Sequence, residues 1–251
     1  MLEKYIKRGV KNILKPTGFE LVRINRIDDR TRVEDITMDK KFMDIYQKCR
    51  SYTMTSIVKM YSLYKSVEYI VKNKIPGDFV ECGVWRGGSV MVMAYTLQMF
   101  GDTSRRLYLY DTYKGMTKAN NEIDVRYDGK SAGEVKDSWV YATIDDVRKN
   151  VISTGYPKAS LCFVEGDVME TIPKIIPNEI SLLRLDTDWF ESSYHEMKHL
   201  FPRLSKRGIF IADDYGYWLG SRKATDKYLE ENKVNIFLSR TDETSVTGVL
   251  L

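Results

Sequence analysis

The chain is poor in the residues that build most metal and disulfide centres: among 251 residues there are two histidines and three cysteines. Cys49, Cys82 and Cys162 are an odd, widely spaced set, which argues against a disulfide framework. Cys82 and Cys162 fall inside apolar strand-like runs, so buried free thiols in a cytoplasmic protein are expected. No apolar run is long enough to cross a membrane, and the sequence gives no expectation of a signal peptide or transmembrane segment. The formal charge of +4 is small and points to no nucleic-acid partner. Internal repeats and low-complexity tracts are absent as well, which excludes solenoids and disordered linkers as the main architecture.

What is present divides into an atypical front and a regular back. Leu2, Ile6, Val10, Ile13 and Leu14 recur at helical spacing among lysines and Arg8, Pro16 and Gly18 end that helix, and "FELVRI" reads as a short strand. The front helix is expected to dock on the main domain or form a homo-oligomer contact; as a basic amphipathic segment it also suits an anionic membrane surface. A charged, turn-prone linker follows, so residues 1–38 are expected to be an extension and 39–251 the main domain. Residues 40–73 read as helix, broken once, and Pro76-Gly77 punctuates the chain.

From there short apolar runs alternate with amphipathic segments. The runs are "DFVECG", "RLYLYD", "SLCFVEG", "ISLLRLD" and "GIFIADD", then "NIFLSR" and "SVTGVLL" separated by "TDET". Near-continuous apolar strands joined by helices predict a parallel sheet covered on both faces. The closing pair predicts an antiparallel hairpin. The fold class expected is α/β: a Rossmann-like, mostly parallel seven-stranded sheet ending in that hairpin.

Ligands of such sheets bind beyond the carboxyl ends of the strands, and here those ends are acidic. The first strand runs into "ECGVWRGGS", a glycine turn without the G-x-G-x-x-G spacing of a dinucleotide site. That turn better suits a cofactor lacking phosphates, such as S-adenosylmethionine, with Asp111 at the end of strand two accepting from a ribose diol. Asp186, Asp213 and Asp214 end strands four and five. With no basic side chain assigned among them they repel one another unless a cation neutralises them, and all-oxygen ligands favour Mg²⁺, Mn²⁺ or Ca²⁺. Asp188 looks onto the same space as a candidate general base. The plain alternative is that Asp213 or Asp214 caps the following helix.

"YHEMKH" contains H-E-x-x-H, the zinc-protease spacing, at His195, Glu196 and His199. A zincin needs a third ligand, and no third histidine exists, so the motif is expected to be incidental on a packed or surface helix. The polar stretch 113–139 is either a lid or a solvated loop, and Tyr215, Trp218, Arg222 and Lys223 are candidates to shape an acceptor pocket.

Together "PGDFVECGVWRGGS", "LYDTYKGM" and "DTDWFESSYHEMKHLFPRLSKRGIFIADDYGYWLGSRKATDKYL" resemble the macrocin O-methyltransferase family. The resemblance implies a class I methyltransferase fold and an S-adenosylmethionine- and Mg²⁺-dependent enzyme methylating sugar hydroxyls. It implies Asp186, Asp213 and Asp214 as metal ligands and Asp188 as base. Glu81, Gly83, Gly87, Ser89 and Asp111 would surround the methionine and ribose ends of the cofactor, with Asp167 and the Ser138-Trp139 region near the adenine. The acceptor would be a small-molecule or lipid-linked sugar. A catechol-type methyltransferase shares the metal logic, an NAD-binding oxidoreductase would leave the metal acids idle, and a non-catalytic adenosine-binding module would tolerate loss of Asp188.

Overall fold

The computed structural model describes residues 33–134 and 140–251. The expected front helix and "FELVRI" strand lie outside the described residues, as do Ser138 and Trp139. By internal contacts the chain divides into two units, Met1–Met38 and Asp39–Leu251. The described part of the first holds one short helix, α1 (Glu34–Met38).

The second unit starts with α2 (Lys40–Cys49) and α3 (Ile57–Lys72), the expected helical region broken once. Each begins on a polar cap: the Asp39 carboxylate accepts from Phe42 N and the Ser56 hydroxyl from Lys59 N. Residues between them, from Tyr52 to Thr55, border the cavity described below.

Seven strands follow: β1 (Asp78–Cys82), β2 (Leu107–Asp111), β3 (Leu161–Glu165), β4 (Ile180–Leu185), β5 (Leu204–Ala212), β6 (Ile236–Arg240) and β7 (Val246–Leu250). Their order is β3-β2-β1-β4-β5-β7-β6. The first five are parallel, and β7 inserts antiparallel between β5 and β6. The sheet is therefore the expected one, with its hairpin folded back along β5. β5 starts four residues before the "GIFIADD" run, and its register against β4 shifts between Ile180 and Leu182. Lys206 and Arg207 are exposed there, which is why that segment carries no apolar signal.

The crossovers are α4 (Gly88–Met99), α5 (Ile144–Ile152), the single turn α6 (Val168–Thr171), α7 (Phe190–Leu200) and α8 (Leu219–Glu231). Alternation along each strand sends Val80, Cys82, Leu183, Leu185 and Phe210 into a core with Met197 and Leu200 of α7 and Tyr228 of α8. The residues between them, Phe79, Leu182 and Ile209, are buried on the other face. Two charged residues share that second face. Register pairs Glu81 directly with Arg184, so a carboxylate and a guanidinium stand side by side in the sheet.

Candidate active site

Strand order reverses at β1, with β2 on one side and β4 on the other, so the loops after β1 and β4 part there and leave a crevice. Their backbones nearly touch. A Cβ on Gly83 would lie 1.9 Å from the Asp186 carbonyl oxygen, so this position requires glycine, and its φ of +82° requires it again. Gly87, at φ +88°, then starts α4 in a left-handed conformation. Above these loops lies a cavity of about 350 Å³.

Of the residues singled out from sequence, Glu81, Gly83, Ser89, Asp111 and Asp167 line this cavity, and so do Asp186, Asp188, Asp213 and Asp214. Gly87 lies outside its lining and acts through the turn. Asp111 has partners already: one oxygen accepts from Val84 N at 2.7 Å and Trp85 N at 2.9 Å, the other from Tyr113 N at 2.7 Å. It staples the glycine loop to the end of β2. A carboxylate has about four acceptor positions, so room for another donor remains. Asp167 caps α6 by accepting from Met169 N at 2.9 Å. At the loop two buried polar atoms, Glu81 Oε2 and Trp85 Nε1, have no hydrogen-bond partner among the described residues.

The acids at β4 and β5 meet, with two departures from the sequence expectation. First, the chain supplies cations of its own. Arg184, buried to 2% exposure, donates to Glu81, pairs with Asp186 at 2.7 Å and donates to Asp213 at 2.7 Å. Lys59 from α3 reaches Asp213 Oδ2 at 2.7 Å. Second, the carboxylates that come together are Asp186, Asp188 and Asp214, with one oxygen of each within 4.8 Å of the others. Both oxygens of Asp213 face cations instead. Neither Asp213 nor Asp214 caps α8: its N-cap is Trp218, without a side-chain cap bond. It is the Asp214 carbonyl that accepts from Tyr217 N and Trp218 N.

Charge balance differs across the group. Burial pushes the Asp213 carboxyl up, but Arg184 and Lys59 outweigh it and hold it below the usual carboxylate range. Burial pushes Glu81 up to about 8 against the pull of Arg184. Asp186 and Asp214 are pushed well above their ordinary range, by burial first and then by the acids around them. Oδ2 of Asp214 is buried without a hydrogen-bond partner among the described residues. Asp188 has a left-handed backbone, φ 65°, unusual for a non-glycine residue and typical of places where position outranks comfort.

The described part of the polar stretch after β2, residues 113–134, is folded. Arg126 bridges to Trp218, Tyr127 N donates to Tyr217 O, and Trp189 Nε1 donates to Thr117 O. Buried Asp124 accepts from Asn120 N and from Phe190 N at the start of α7. Trp189 and Trp218 pack edge to face, 5.0 Å apart. This cover brings Met116, Thr117, Tyr217 and Trp218 to the cavity. Tyr215 is not among the lining residues and donates to Asp226, while Arg222 lies over its ring.

The histidine motif lies beside this site without joining it. His195 Nε2 is 2.8 Å from the Ile172 carbonyl, and Glu196 is fully buried and accepts from Thr187 at 3.0 Å. Among the described residues, the carboxylates named above are the one cluster with metal-ligand spacing, and it contains no histidine. Lys59, Arg184 and the Tyr52–Thr55 segment escaped sequence reasoning. For Arg184 a signal existed, since an arginine within a buried apolar strand must find partners.

A seven-stranded sheet in this order, with its antiparallel β7 and a crevice at the β1–β4 switch, is the class I O-methyltransferase fold. The solved O-methyltransferase NovP superposes with a TM-score of 0.71, at 26% identity over 79% of this chain and 82% of that one. The macrocin-O-methyltransferase family model matches residues 14–248, and the chain belongs to that family. Similar proteins include the 8-demethyl-8-(2,3-dimethoxy-alpha-L-rhamnosyl)-tetracenomycin-C 4'-O-methyltransferase of Streptomyces olivaceus, 30% identical over 78% of this chain and 74% of the relative. The demethyldecarbamoylnovobiocin O-methyltransferase of Streptomyces niveus is 29% identical over 71% and 68%.

Proposed function

We propose that this chain is an S-adenosylmethionine-dependent O-methyltransferase acting on a sugar hydroxyl of a glycoside or glycan precursor, assisted by a divalent cation and with Asp188 as general base. The observation that carries the reading is one cavity in which the glycine loop and the acids of β4 and β5 face each other. The tetracenomycin relative, named for methylating a rhamnosyl-bearing compound, supports a sugar as acceptor. We read residues 39–251 as the methyltransferase domain and 1–38 as an extension.

The residues present fit both groups. Glu81 Oε2 and Trp85 Nε1 are an acceptor and a donor, buried and unpartnered among the described residues, of the kinds an amino-acid zwitterion needs. Asp111 keeps the loop closed and retains acceptor capacity for a ribose hydroxyl, and Asp167 and Ser89 border the same space. For the cation, an all-carboxylate set with an unpartnered Asp214 Oδ2 suits Mg²⁺. Asp186 and Asp214 would hold it, with Asp213 oriented behind them by Arg184. A cation there would supply Lewis-acid polarisation of the acceptor hydroxyl. Asp188 would take the proton as the methyl group passes to oxygen. Tyr217 and Trp218 would present an aromatic wall to the sugar, and the folded cover over β2 would exclude water.

Calorimetric titration of S-adenosylhomocysteine, with NAD⁺ as control, tests the cofactor. Micromolar affinity, about 8 kcal/mol, is expected for the former alone. Methyl transfer to a glycoside panel, with Mg²⁺ and with chelator, then tests the acceptor and the metal. Binding of NAD⁺ alone by the folded protein overturns the reading.

A further inference from the structure

Lys59 brings a positive charge to the place where the sequence assigns a metal ligand. It sits in the first turn of α3, and its Nζ lies 2.7 Å from Asp213 Oδ2 and 3.2 Å from the Asp213 carbonyl oxygen. Arg184 Nη2 takes the other carboxylate oxygen at 2.7 Å. Asp213 is thus engaged on both oxygens, and the carboxylates that converge within 4.8 Å are Asp186, Asp188 and Asp214. The Lys59 side chain is 11% exposed and that of Asp213 9%, so solvent does not screen this pair as it screens surface ion pairs.

The two cations are not equivalent. Arg184 is fixed by Glu81, Asp186 and Asp213 and donates to Thr55 as well. The Lys59 ammonium is a point charge on a flexible stem, and among the described residues its hydrogen bonds go to Asp213 alone.

We propose that Lys59 is a tethered counter-ion that competes with the divalent cation for Asp213 and thereby sets the metal affinity of the site. This rests on the metal-assisted reading above. A cation held by Asp186 and Asp214 either leaves Asp213 to Lys59 and feels that charge close by, or displaces the ammonium and strands it. Both routes weaken binding relative to a chain with a neutral side chain at position 59. Lys59 is in this sense a positioning residue: it acts on the cation through Asp213 and needs no contact with acceptor or cofactor.

The test is titration of Mn²⁺ into the full chain, following the free-ion paramagnetic resonance signal, for wild type, Lys59→Met and Lys59→Arg. Thermal unfolding of each variant establishes that it is folded; should Lys59→Met fail to fold, Lys59→Gln takes its place. Lys59→Met is expected to bind Mn²⁺ on the order of tenfold more tightly, and Lys59→Arg to stay within about threefold of wild type. Structural damage cannot produce a gain in affinity, so the direction separates competition from a merely structural role. Equal or weaker binding by Lys59→Met, with wild type binding normally, overturns the competition and leaves the metal-assisted reading standing. Absence of Mn²⁺ binding by wild type and variants alike overturns both.

Discussion

Replacing Arg184 by methionine removes the guanidinium but keeps most of the side-chain volume. Three carboxylates, Glu81, Asp186 and Asp213, lose a shared partner inside the sheet. Breaking a buried pair costs about 3–5 kcal/mol because a charge is left uncompensated. Here Asp213 retains Lys59, and burial already holds Glu81 up at about 8, so it has little charge to strand at neutral pH, which places the expected loss near the lower end, about 3 kcal/mol. For a domain of this size that corresponds to a fall in Tm of roughly 6–12 °C. Urea unfolding followed by tryptophan fluorescence measures it. The pH dependence makes the reasoning sharper. In wild type the Asp213 carboxyl is held low, so its contribution is full above the unfolded pKa and is lost as pH falls through the folded one. In the variant only Lys59 is left to oppose burial at Asp213, so its carboxyl is held down less and there is less stability to lose as pH falls. The stability gap between the two proteins should therefore narrow with acidification. A loss below about 1 kcal/mol at neutral pH, or a gap that widens in acid, would falsify the ion-pair account.

Asp188→Asn should lower methyl transfer by about 10²–10⁴-fold while S-adenosylhomocysteine affinity stays within about twofold; loss of cofactor binding instead would assign Asp188 to the cofactor. Gly83→Ala forces a Cβ to within 1.9 Å of the Asp186 carbonyl. It should destabilise by well over about 1 kcal/mol and abolish cofactor binding, and a stable, active variant would show that the two loops are less tightly apposed. His195→Gln with His199→Gln should leave transferase activity unchanged, and elemental analysis of wild type should find no stoichiometric zinc. Zinc that disappears with the double substitution would restore the histidine motif as a metal site.

Much of the fold was legible because a parallel sheet covered on both faces needs apolar side chains in both directions, and such runs stand out between helices. The strand-end rule then placed the acids at one edge without any coordinates. Their partners were harder to read. Asp111 reads from sequence as an acceptor for a ribose diol, and nothing there announces that its oxygens also hold the amides of Val84, Trp85 and Tyr113. Asp213 reads from sequence as a metal ligand or a helix cap; it does not cap α8, and nothing in the sequence announces that Arg184 and Lys59 stand on its oxygens. Arg184 could have been found, since it interrupts an otherwise apolar strand next to Glu81. Lys59 could not: a lysine near the start of an amphipathic helix has the pattern of a solvated one. Only the packing of α3 against the end of β5, 154 residues later in the chain, turns it inward. Topology thus determines where a carboxylate stands. The charge that meets it there depends on which distant helix packs against that edge, and at Asp213 it is the Lys59 ammonium, from the segment ahead of the sheet.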